Sequence, residues 1–298
     1  MKKVSPTNDL ALRKVFASTE NKDILQGLIE DFYEIEPLNL AIENPYSISD
    51  YKELLDGKEI YRFRETVKDI SASFNTADFV SECQVRSAAF FDERAIFYPL
   101  DRFCKNYNKY GEMQHDTQGR PFKYSSLRPV YALNILGYTH FQSNGNTDDD
   151  DAFRIFEIYD VKNQRRYKKD LIKIGFFELT KNHGLTVNQE SWLEYFKTGT
   201  ARAGAPDYIK KASSIIEFSN LAEEERNVIT ALEKWENDRQ AEIHYGFLEG
   251  RHEGLLEGLL EGQNKKAIEF AKAMLKNGEA KEKIALYTGL AIEDIQSL

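Results

Sequence analysis

The chain has 298 residues, of which 41% are hydrophobic and 12% aromatic, enough for a buried core and a second module. It has no run of roughly 18 apolar residues for a membrane span and no signal-peptide pattern, so we expect a cytoplasmic protein with no membrane partner. Its cysteines and histidines do not have the spacing of a zinc site, so we expect any metal to be bound through oxygen. The net charge of -9 argues against a broadly basic nucleic-acid-binding surface.

Helical and strand patterns alternate in the first part of the chain. Residues 5–36 carry capping residues followed by apolar positions at near-helical intervals, which predicts helix covering one side of a sheet. The period changes toward two over 60–85, with turn residues at 75–78, which predicts a β-hairpin. Residues 88–110 are again helical in pattern, and Pro99 should kink or divide that helix because it lacks a backbone N–H.

Further strands complete the first domain. Apolar, β-favouring runs occupy 129–136 and 153–159, and a short strand is predicted over 172–179. This order of elements predicts an α/β (α+β) fold. The expected division is a domain over 1–185, a helical extension over 186–245 and a C-terminal helical arm over 246–298.

The C-terminal segment is acidic and contains a true repeat. Residues 221–298 hold 16 acidic and 10 basic side chains, and glycine recurs every fourth residue from Gly246 to Gly262. Five glycines destabilise an isolated helix by roughly 5 kcal/mol, so the segment is either a helix that pairs with another helix or a flexible acidic linker. We favour pairing between subunits, which predicts a homo-oligomer assembled through the arm.

The last residues, 265–298, have the lengths of a helical hairpin, with glycine-containing stops at 277–278 and 288–290. A DNA-binding helix-turn-helix and a small packed cap both fit these lengths. We favour the cap because no basic recognition helix follows the turn.

The predicted hairpin brings two carboxylates to one face. With Asn75 and Thr76 as a two-residue turn, Asp69 faces Glu82; with a four-residue turn, Asp69 faces Gln84 and Glu82 is its diagonal neighbour. Both registers leave an apolar set on the other face: Ile70, Ala72, Phe74, Phe79, Cys83 and Val85. Facing carboxylates repel unless a cation lies between them, and oxygen ligands suit Mg²⁺ or Mn²⁺. From spacing alone, such a pair is more often merely solvated.

Several short motifs resemble the PD-(D/E)XK nuclease family transposases, the Rpn family of recombination-promoting nucleases. The order and spacing of these motifs are more specific than any one of them. They are Ser5-Pro6-Thr7-Asn8-Asp9, Lys14, Phe16, Asp69, Glu82-Cys83-Gln84, Arg94 and Tyr98, with a similar C-terminal glycine-glutamate repeat and Ile284 to Ile295.

The resemblance implies a restriction-endonuclease-like mixed sheet flanked by helices and Mg²⁺-dependent cleavage of DNA. Asp69 and Glu82 would bind the metal, and Gln84 would occupy the position of the lysine found in the wider superfamily. Gln84 can orient water or coordinate through its amide oxygen but supplies no positive charge. Asp9 either approaches the metal or is simply a favourable acid at a helix N-terminus.

Two groups of residues are candidates for contacting DNA. Arg94 and Tyr98 are four apart and would share a helix face, with a structural salt bridge and a core-edge tyrosine as the alternative. A basic run with a local charge of +5 is the other candidate, although such runs are usually solvated faces. It comprises Lys162, Arg165, Arg166, Lys168, Lys169 and Lys173 against Asp170.

The sequence therefore predicts a metal-dependent DNA endonuclease, associated with transposition or recombination by resemblance. The alternative is a catalytically weak or inactive DNA-binding or assembly protein that retains the nuclease fold, since Gln84 replaces a charged residue and the tail is acidic. No nucleotide-binding or esterase motif is present.

Overall fold

The computed structural model describes residues 3–56, 70–107, 113–142, 150–167 and 169–298. The chain divides into two units, Met1–Ile229 and Thr230–Leu298. Within the described residues, no helix is both long and apolar enough to cross a membrane. Asp69 and Lys168 lie outside the described residues.

The predicted helical segments are present. The helices are α1 (Asp9–Phe16), α2 (Lys22–Tyr33), α3 (Ile48–Asp56), α4 (Phe91–Lys105), α5 (Val187–Thr198), α6 (Asp207–Ile215), α7 (Glu223–Lys276), α8 (Lys281–Thr288) and α9 (Ile292–Ser297). Asn8 caps α1, its Oδ1 accepting a hydrogen bond from the backbone N–H of Leu10 at 3.1 Å. The block predicted over 5–36 is thus confirmed as helical, as two helices joined by a 3₁₀ turn at Thr19–Asn21.

A mixed six-stranded sheet forms the centre of the first unit. The strands are β1 (Ala41–Ile42), β2 (Ile70–Ser73), β3 (Asp78–Gln84), β4 (Gln114–His115), β5 (Pro121–Phe122), β6 (Val130–Leu136), β7 (Phe153–Glu157), β8 (Tyr159–Asp160), β9 (Arg165–Arg166) and β10 (Ile172–Glu178). The order in the large sheet is β1-β2-β3-β6-β10-β7, and β3, β6 and β10 are parallel to one another. β4-β5 and β8-β9 are separate two-stranded ribbons.

The hairpin of β2 and β3 has the register of the two-residue turn. Ile70 faces Ser81, and the backbone N–H of Phe74 donates to the carbonyl of Ala77 at 3.0 Å, which closes the turn around Asn75 and Thr76. The predicted face assignment is confirmed for Ile70, Ala72, Phe74 and Phe79, which are buried, whereas Cys83 is only partly buried and Val85, just past the end of β3, is 47% exposed.

Helices cover both faces of the sheet. On the apolar hairpin face, the ring of Phe32 in α2 lies 4.9 Å from that of Phe177, and the hydroxyl of Tyr33 donates to the carbonyl of Ala132. Gly175 permits this approach, because a Cβ there would lie 2.6 Å from the Tyr33 hydroxyl. The helix predicted from 5–36 therefore covers one side of the sheet, as expected.

On the opposite face, α4 packs through Phe91 and Ala95 against Leu136 and Phe176. The prediction that Pro99 divides this helix is wrong, since α4 is continuous from Phe91 to Lys105. Pro99 is buried against the sheet, and this packing compensates for the backbone hydrogen bond that proline cannot donate.

The second unit is built on the C-terminal part of α7. The glycine repeat 246–262 is helical throughout. Ala271 of α7 packs with Ile284 of α8 and Ile295 of α9 in a small apolar cluster. Gly278 and Gly289 adopt φ of +77° and +71°, the left-handed conformation that ends α7 and α8. The terminal helical hairpin is therefore present, and it packs on the end of α7.

Candidate active site

Glu82 lies near the carboxyl end of β3, on the face covered by α4. Its side chain is only 5% exposed, and Arg94 of α4 donates from Nη2 to Glu82 Oε1 at 2.6 Å. The alternation of β3 places Glu82 on this face, and the first turn of α4 brings Arg94 over it. The site therefore contains a buried carboxylate that is paired directly with the guanidinium of Arg94.

Gln84 joins the same cluster with its amide oxygen facing inward. Arg94 Nη2 also donates to Gln84 Oε1 at 2.9 Å, while Gln84 Nε2 donates to the carbonyl of Arg86 at 2.8 Å. The backbone acceptor fixes the amide orientation, so an oxygen and not an NH₂ group points toward Glu82. Glu82 and Gln84 thus present converging oxygen atoms around one guanidinium nitrogen.

Tyr98 is one turn after Arg94 and lines the same region. With Glu82 and Asn134 it borders a small cavity of about 10 Å³, close to the minimum for one water molecule. Asn134 is the register partner of Glu82 on β6, and its Nδ2 donates to the carbonyl of Gly175 at 3.2 Å. The structure therefore brings Glu82, Gln84, Arg94 and Tyr98 together.

Tyr138 is a component that sequence reasoning missed. Its hydroxyl is buried, and no hydrogen-bond partner for it exists among the described residues. Burial, together with the nearby charges of Asp92 and Glu82, raises the pKa of Tyr138 to about 12, against the opposing effect of Arg94. The hydroxyl therefore stays protonated at neutral pH, and the Tyr138 ring packs against Phe91 at the start of α4 with the ring centroids 6.2 Å apart. A lone tyrosine after an apolar run gives no sequence signal for this position.

A second buried carboxylate lies at the same edge of the sheet. Glu178 is at the register level of Leu136 and Gln84 and is fully buried. Its Oε1 accepts from the backbone N–H of His140 at 2.6 Å, and Lys181 Nζ donates to its Oε2 at 2.8 Å. These bonds tie the chain after β6 to the end of β10 and so fix the rim next to the site.

Asp9 lies in the first turn of α1, after the Asn8 cap. Its backbone oxygen accepts from the Tyr51 hydroxyl at 3.3 Å. Over the described ranges, no group of three or more Asp, Glu, His or Cys side chains is arranged to hold a metal. The hard oxygens of Glu82 and Gln84 suit Mg²⁺ or Mn²⁺, and the second predicted carboxylate, Asp69, is outside the described residues.

The described residues of the basic run lie toward the other end of the strands. Lys173 is at the start of β10 and is the register partner of Glu157. Arg165 and Arg166 form β9, which pairs with β8 just after Glu157. Gln84 lies at the far end of the parallel strands, so Arg165, Arg166 and Lys173 are not brought to Glu82. Ion pairs also reduce the charge of the run: Arg166 lies 3.0 Å and Lys173 3.3 Å from carboxylate oxygens of Glu157. Lys169 is exposed.

The fold corresponds to that of a PD-(D/E)XK nuclease. The family model described as PD-(D/E)XK nuclease family transposase matches residues 6–246, which is 241 of the 298 residues, and the chain belongs to this family. The mixed sheet flanked by helices agrees with the fold of that family. The match ends at the first glycine of the repeat, so it does not cover the tail resemblance. No curated protein and no solved structure matches the chain.

Proposed function

We propose that the protein is a metal-dependent DNA endonuclease that hydrolyses phosphodiester bonds with Asp69, Glu82 and Gln84. The observation that carries this proposal is the buried Glu82 carboxylate at the end of β3. Its Oε1 and the amide oxygen of Gln84 both accept hydrogen bonds from Arg94 Nη2. Membership of a nuclease family supports the same chemistry.

The metal would be Mg²⁺, for which Mn²⁺ can substitute, and when bound it would activate water and stabilise charge on the phosphate. Asp69 and Glu82 would hold it, with Asp9 as a further candidate. Gln84 Oε1, fixed by the Arg86 carbonyl, can accept a hydrogen bond from water and hold it in place. Arg94 lies next to Gln84 and supplies the positive charge that the superfamily lysine would supply at the Gln84 position.

DNA would approach the carboxyl edge of the sheet. Arg94 is about one-third exposed and keeps donors for a phosphate oxygen, and Tyr98 borders the same cavity. Arg165, Arg166, Lys168 and Lys169 would contact the DNA backbone away from the cleavage point, because Arg165 and Arg166 are at the other end of the sheet from Glu82. A DNA substrate is consistent with the cytoplasmic location expected from the sequence, and recombination is suggested by the family description alone.

The alternative function is a weak or inactive DNA-binding or assembly protein with a nuclease fold. One observation favours it: Glu82 is already neutralised by Arg94, so a metal would have to compete with the guanidinium for this carboxylate. The two functions differ in whether the folded chain cleaves DNA.

Nicking of supercoiled plasmid distinguishes them. The wild type should nick in Mg²⁺ or Mn²⁺ and stop in EDTA, and Asp69→Asn or Glu82→Gln should lower the rate by at least about 100-fold. Asp207→Asn and Glu190→Gln are matched controls at exposed positions of α6 and α5 and should retain activity. Nicking that survives both site substitutions would refute the site, and a folded wild type that does not nick would favour the alternative.

We also infer that the chain assembles with copies of itself through the arm, residues 246–298. Large apolar side chains of α7 in this region, including Leu255, Leu259 and Phe270, are more than half exposed. An exposed apolar stripe on a helix is typical of a surface that another helix covers.

A further inference from the structure

The two-stranded ribbon of β8 and β9 is exposed on both faces. Tyr159 pairs with Arg166 and Asp160 with Arg165, and neither strand belongs to the six-stranded sheet. Every residue from 158 to 167 is exposed, so both faces of the ribbon are open to solvent. Soluble proteins normally bury one face of a β-sheet, because a lone hairpin is only marginally stable in water. A ribbon that is open on both faces is suited to entering a groove of another molecule.

Asp160 orders the turn that joins the two strands. Its Oδ1 accepts hydrogen bonds from the backbone N–H groups of Lys162 and Asn163, both at 3.1 Å. The side-chain amide of Asn163 donates to its Oδ2 at 2.7 Å. These hydrogen bonds, above all the one from the Asn163 side chain, lower the pKa of Asp160 below its ordinary value of 3.8. The charged carboxylate therefore fixes the turn, in which Val161 and Gln164 flank Lys162 and Asn163.

The ribbon is basic although the protein is acidic. Residues 158–167 contain three basic side chains and one acidic side chain, whereas the whole chain has a net charge of -9. Arg166 lies 3.0 Å from Glu157. In the described part of the chain, no carboxylate forms an ion pair with Lys162 or Arg165. These two cations are therefore available to contact phosphate groups.

Apolar and aromatic side chains lie between these cations. Val161 is 84% exposed, Tyr159 49% and Tyr167 56%. Such side chains mark a surface that binds another molecule, and their mixture with unpaired cations is typical of nucleic-acid binding. The cations favour DNA over an apolar protein surface, because a charge buried against apolar groups is costly. The major groove of B-DNA is about 12 Å wide and admits a two-stranded β-ribbon.

The ribbon is close enough to Glu82 for both to contact one duplex. Register partners at one level across β3, β6, β10 and β7 are Glu82, Asn134, Phe176 and Arg154. The path from Glu82 to Val161 crosses three strand spacings of about 4.8 Å, to Arg154, and then follows the chain for seven residues of about 3.4 Å. Because β8 follows β7 after one residue, the separation is about 28 Å. One turn of B-DNA is about 34 Å long, so a duplex cut at Glu82 would reach the ribbon within one turn.

We propose that the β8–β9 ribbon inserts into the major groove of the DNA duplex that the protein cuts. Lys162 and Arg165 contact backbone phosphates, and Val161 and Gln164 reach the base edges. A glutamine amide can bond to adenine N6 and N7, and an apolar side chain can contact the thymine methyl group, so the ribbon favours A·T pairs. The proposal rests on the proposed nuclease function for its DNA substrate, and it adds a requirement for duplex beside the cleavage point.

Fluorescence anisotropy of the full-length chain in EDTA tests DNA binding without cleavage, with a labelled duplex of about three helical turns. The ribbon variant Lys162→Gln/Arg165→Gln should raise Kd at least about 10-fold and lower the slope of log K against log salt by about 2, since each phosphate contact contributes about 0.9. Lys197→Gln/Lys210→Gln is the matched control, which removes two exposed cations of α5 and α6 and should leave Kd unchanged. A wild type that does not bind the duplex, or a ribbon variant that binds like the wild type, would overturn the proposal.

Modified duplexes test which groove is occupied. Glucosylated 5-hydroxymethylcytosine places a sugar in the major groove, so it should raise the Kd of the wild type at least about 10-fold and change that of the ribbon variant little. Netropsin occupies the minor groove of A·T sequences and should not compete with the protein. Competition by netropsin without an effect of the glucose would overturn insertion into the major groove.

Selection of bound duplexes from a random pool tests the base contacts. The wild type should enrich A·T pairs, and Val161→Ser/Gln164→Ala should lose this preference. A preference that is absent from the wild type or kept by the variant would overturn base contacts from the turn.

Plasmid nicking separates the failure of this proposal from the failure of the nuclease function. Ribbon-dependent duplex binding by a protein that does not nick would overturn the nuclease function alone. Metal-dependent nicking by a protein whose duplex binding does not depend on the ribbon would overturn the ribbon alone.

Discussion

Replacing Arg94 with Met tests whether the guanidinium serves as the resident cation of the site. The substitution keeps an unbranched stem of similar reach and removes the positive charge. In the wild type, Arg94 Nη2 bonds to Glu82 at 2.6 Å and to Gln84 at 2.9 Å. The variant leaves the Glu82 carboxylate, only 5% exposed, without this cation.

The expected loss of stability follows from the burial of the two partners. Breaking a fully buried ion pair costs about 3–5 kcal/mol, whereas an exposed pair contributes about 0–1 kcal/mol. Since Arg94 is 33% exposed and Glu82 is 5% exposed, we expect an intermediate loss of about 2 kcal/mol in EDTA. For a unit of this size, that corresponds to a decrease in Tm of about 4–8 °C.

A divalent metal should reverse part of this loss. In Arg94→Met, the oxygens of Glu82 and Gln84 no longer share a guanidinium, so Mn²⁺ meets less competition there. Ligand binding stabilises the folded state by about 2.7 kcal/mol at 100 times Kd. The rise in Tm on adding Mn²⁺ should therefore be larger in Arg94→Met than in the wild type, and it should be lost in Arg94→Met/Glu82→Gln.

Scanning fluorimetry in EDTA and in Mn²⁺ measures both effects. Arg202→Met is the matched control, because Arg202 pairs with Glu190 at an exposed position and should contribute less than about 1 kcal/mol. Equal Tm values for Arg94→Met and the wild type in EDTA would refute the energetic role of the pair. An equal Mn²⁺ response in wild type, single and double variants would refute metal binding at Glu82.

Two further predictions concern the fold. Burial opposes ionisation of Glu225, but hydrogen bonds from Lys14 and other donors outweigh it and hold its pKa below the ordinary value of 4.5. The ionised Glu225 carboxylate therefore stabilises the fold at neutral pH, and this stabilisation is lost as the pH falls through the lowered pKa. In urea titrations, Glu225→Gln should have a free energy of unfolding about 1–3 kcal/mol below that of the wild type at pH 7, and the difference should shrink progressively below pH 4.5. A difference that stays constant down to pH 3 would contradict this. Tyr33→Phe removes the buried hydroxyl that donates to the Ala132 carbonyl and should lower the free energy of unfolding by about 1 kcal/mol. Tyr195→Phe removes a buried hydroxyl that has no partner in the described part of the chain, so this substitution should be neutral or stabilising. Equal losses in the two tyrosine variants would disprove the second prediction.

The hairpin was predictable because strand alternation depends on neighbouring residues. Apolar side chains at every second position identify the buried face, and the polar parity then assigns Glu82 and Gln84 to the other. The turn length was not determined, since Asn75-Thr76-Ala77-Asp78 fits either two or four turn residues. Only the pairing of Ile70 with Ser81 decides between them. Pro99 shows the limit of local rules, because tertiary packing keeps α4 continuous.

The composition of the site depended on contacts between distant segments. Arg94 was predicted on a helix with Tyr98, but its bonds to Glu82 and Gln84 require α4 to lie on the sheet. Glu178 reaches this edge from β10 and Tyr138 from the chain that follows β6, and no spacing in the sequence links them to Glu82.

The sequence by itself determined the nuclease-like order of elements, the face of the hairpin that carries Glu82 and the helical character of the C-terminal segment, because periodicity, turn residues and motif order are local properties. Tertiary structure decided which cation neutralises Glu82, which way the Gln84 amide points, and that Arg165, Arg166 and Lys173 lie at the far end of the sheet from Glu82. These depend on strand direction and on packing between segments, where burial makes each unpaired charge costly and so selects its partner.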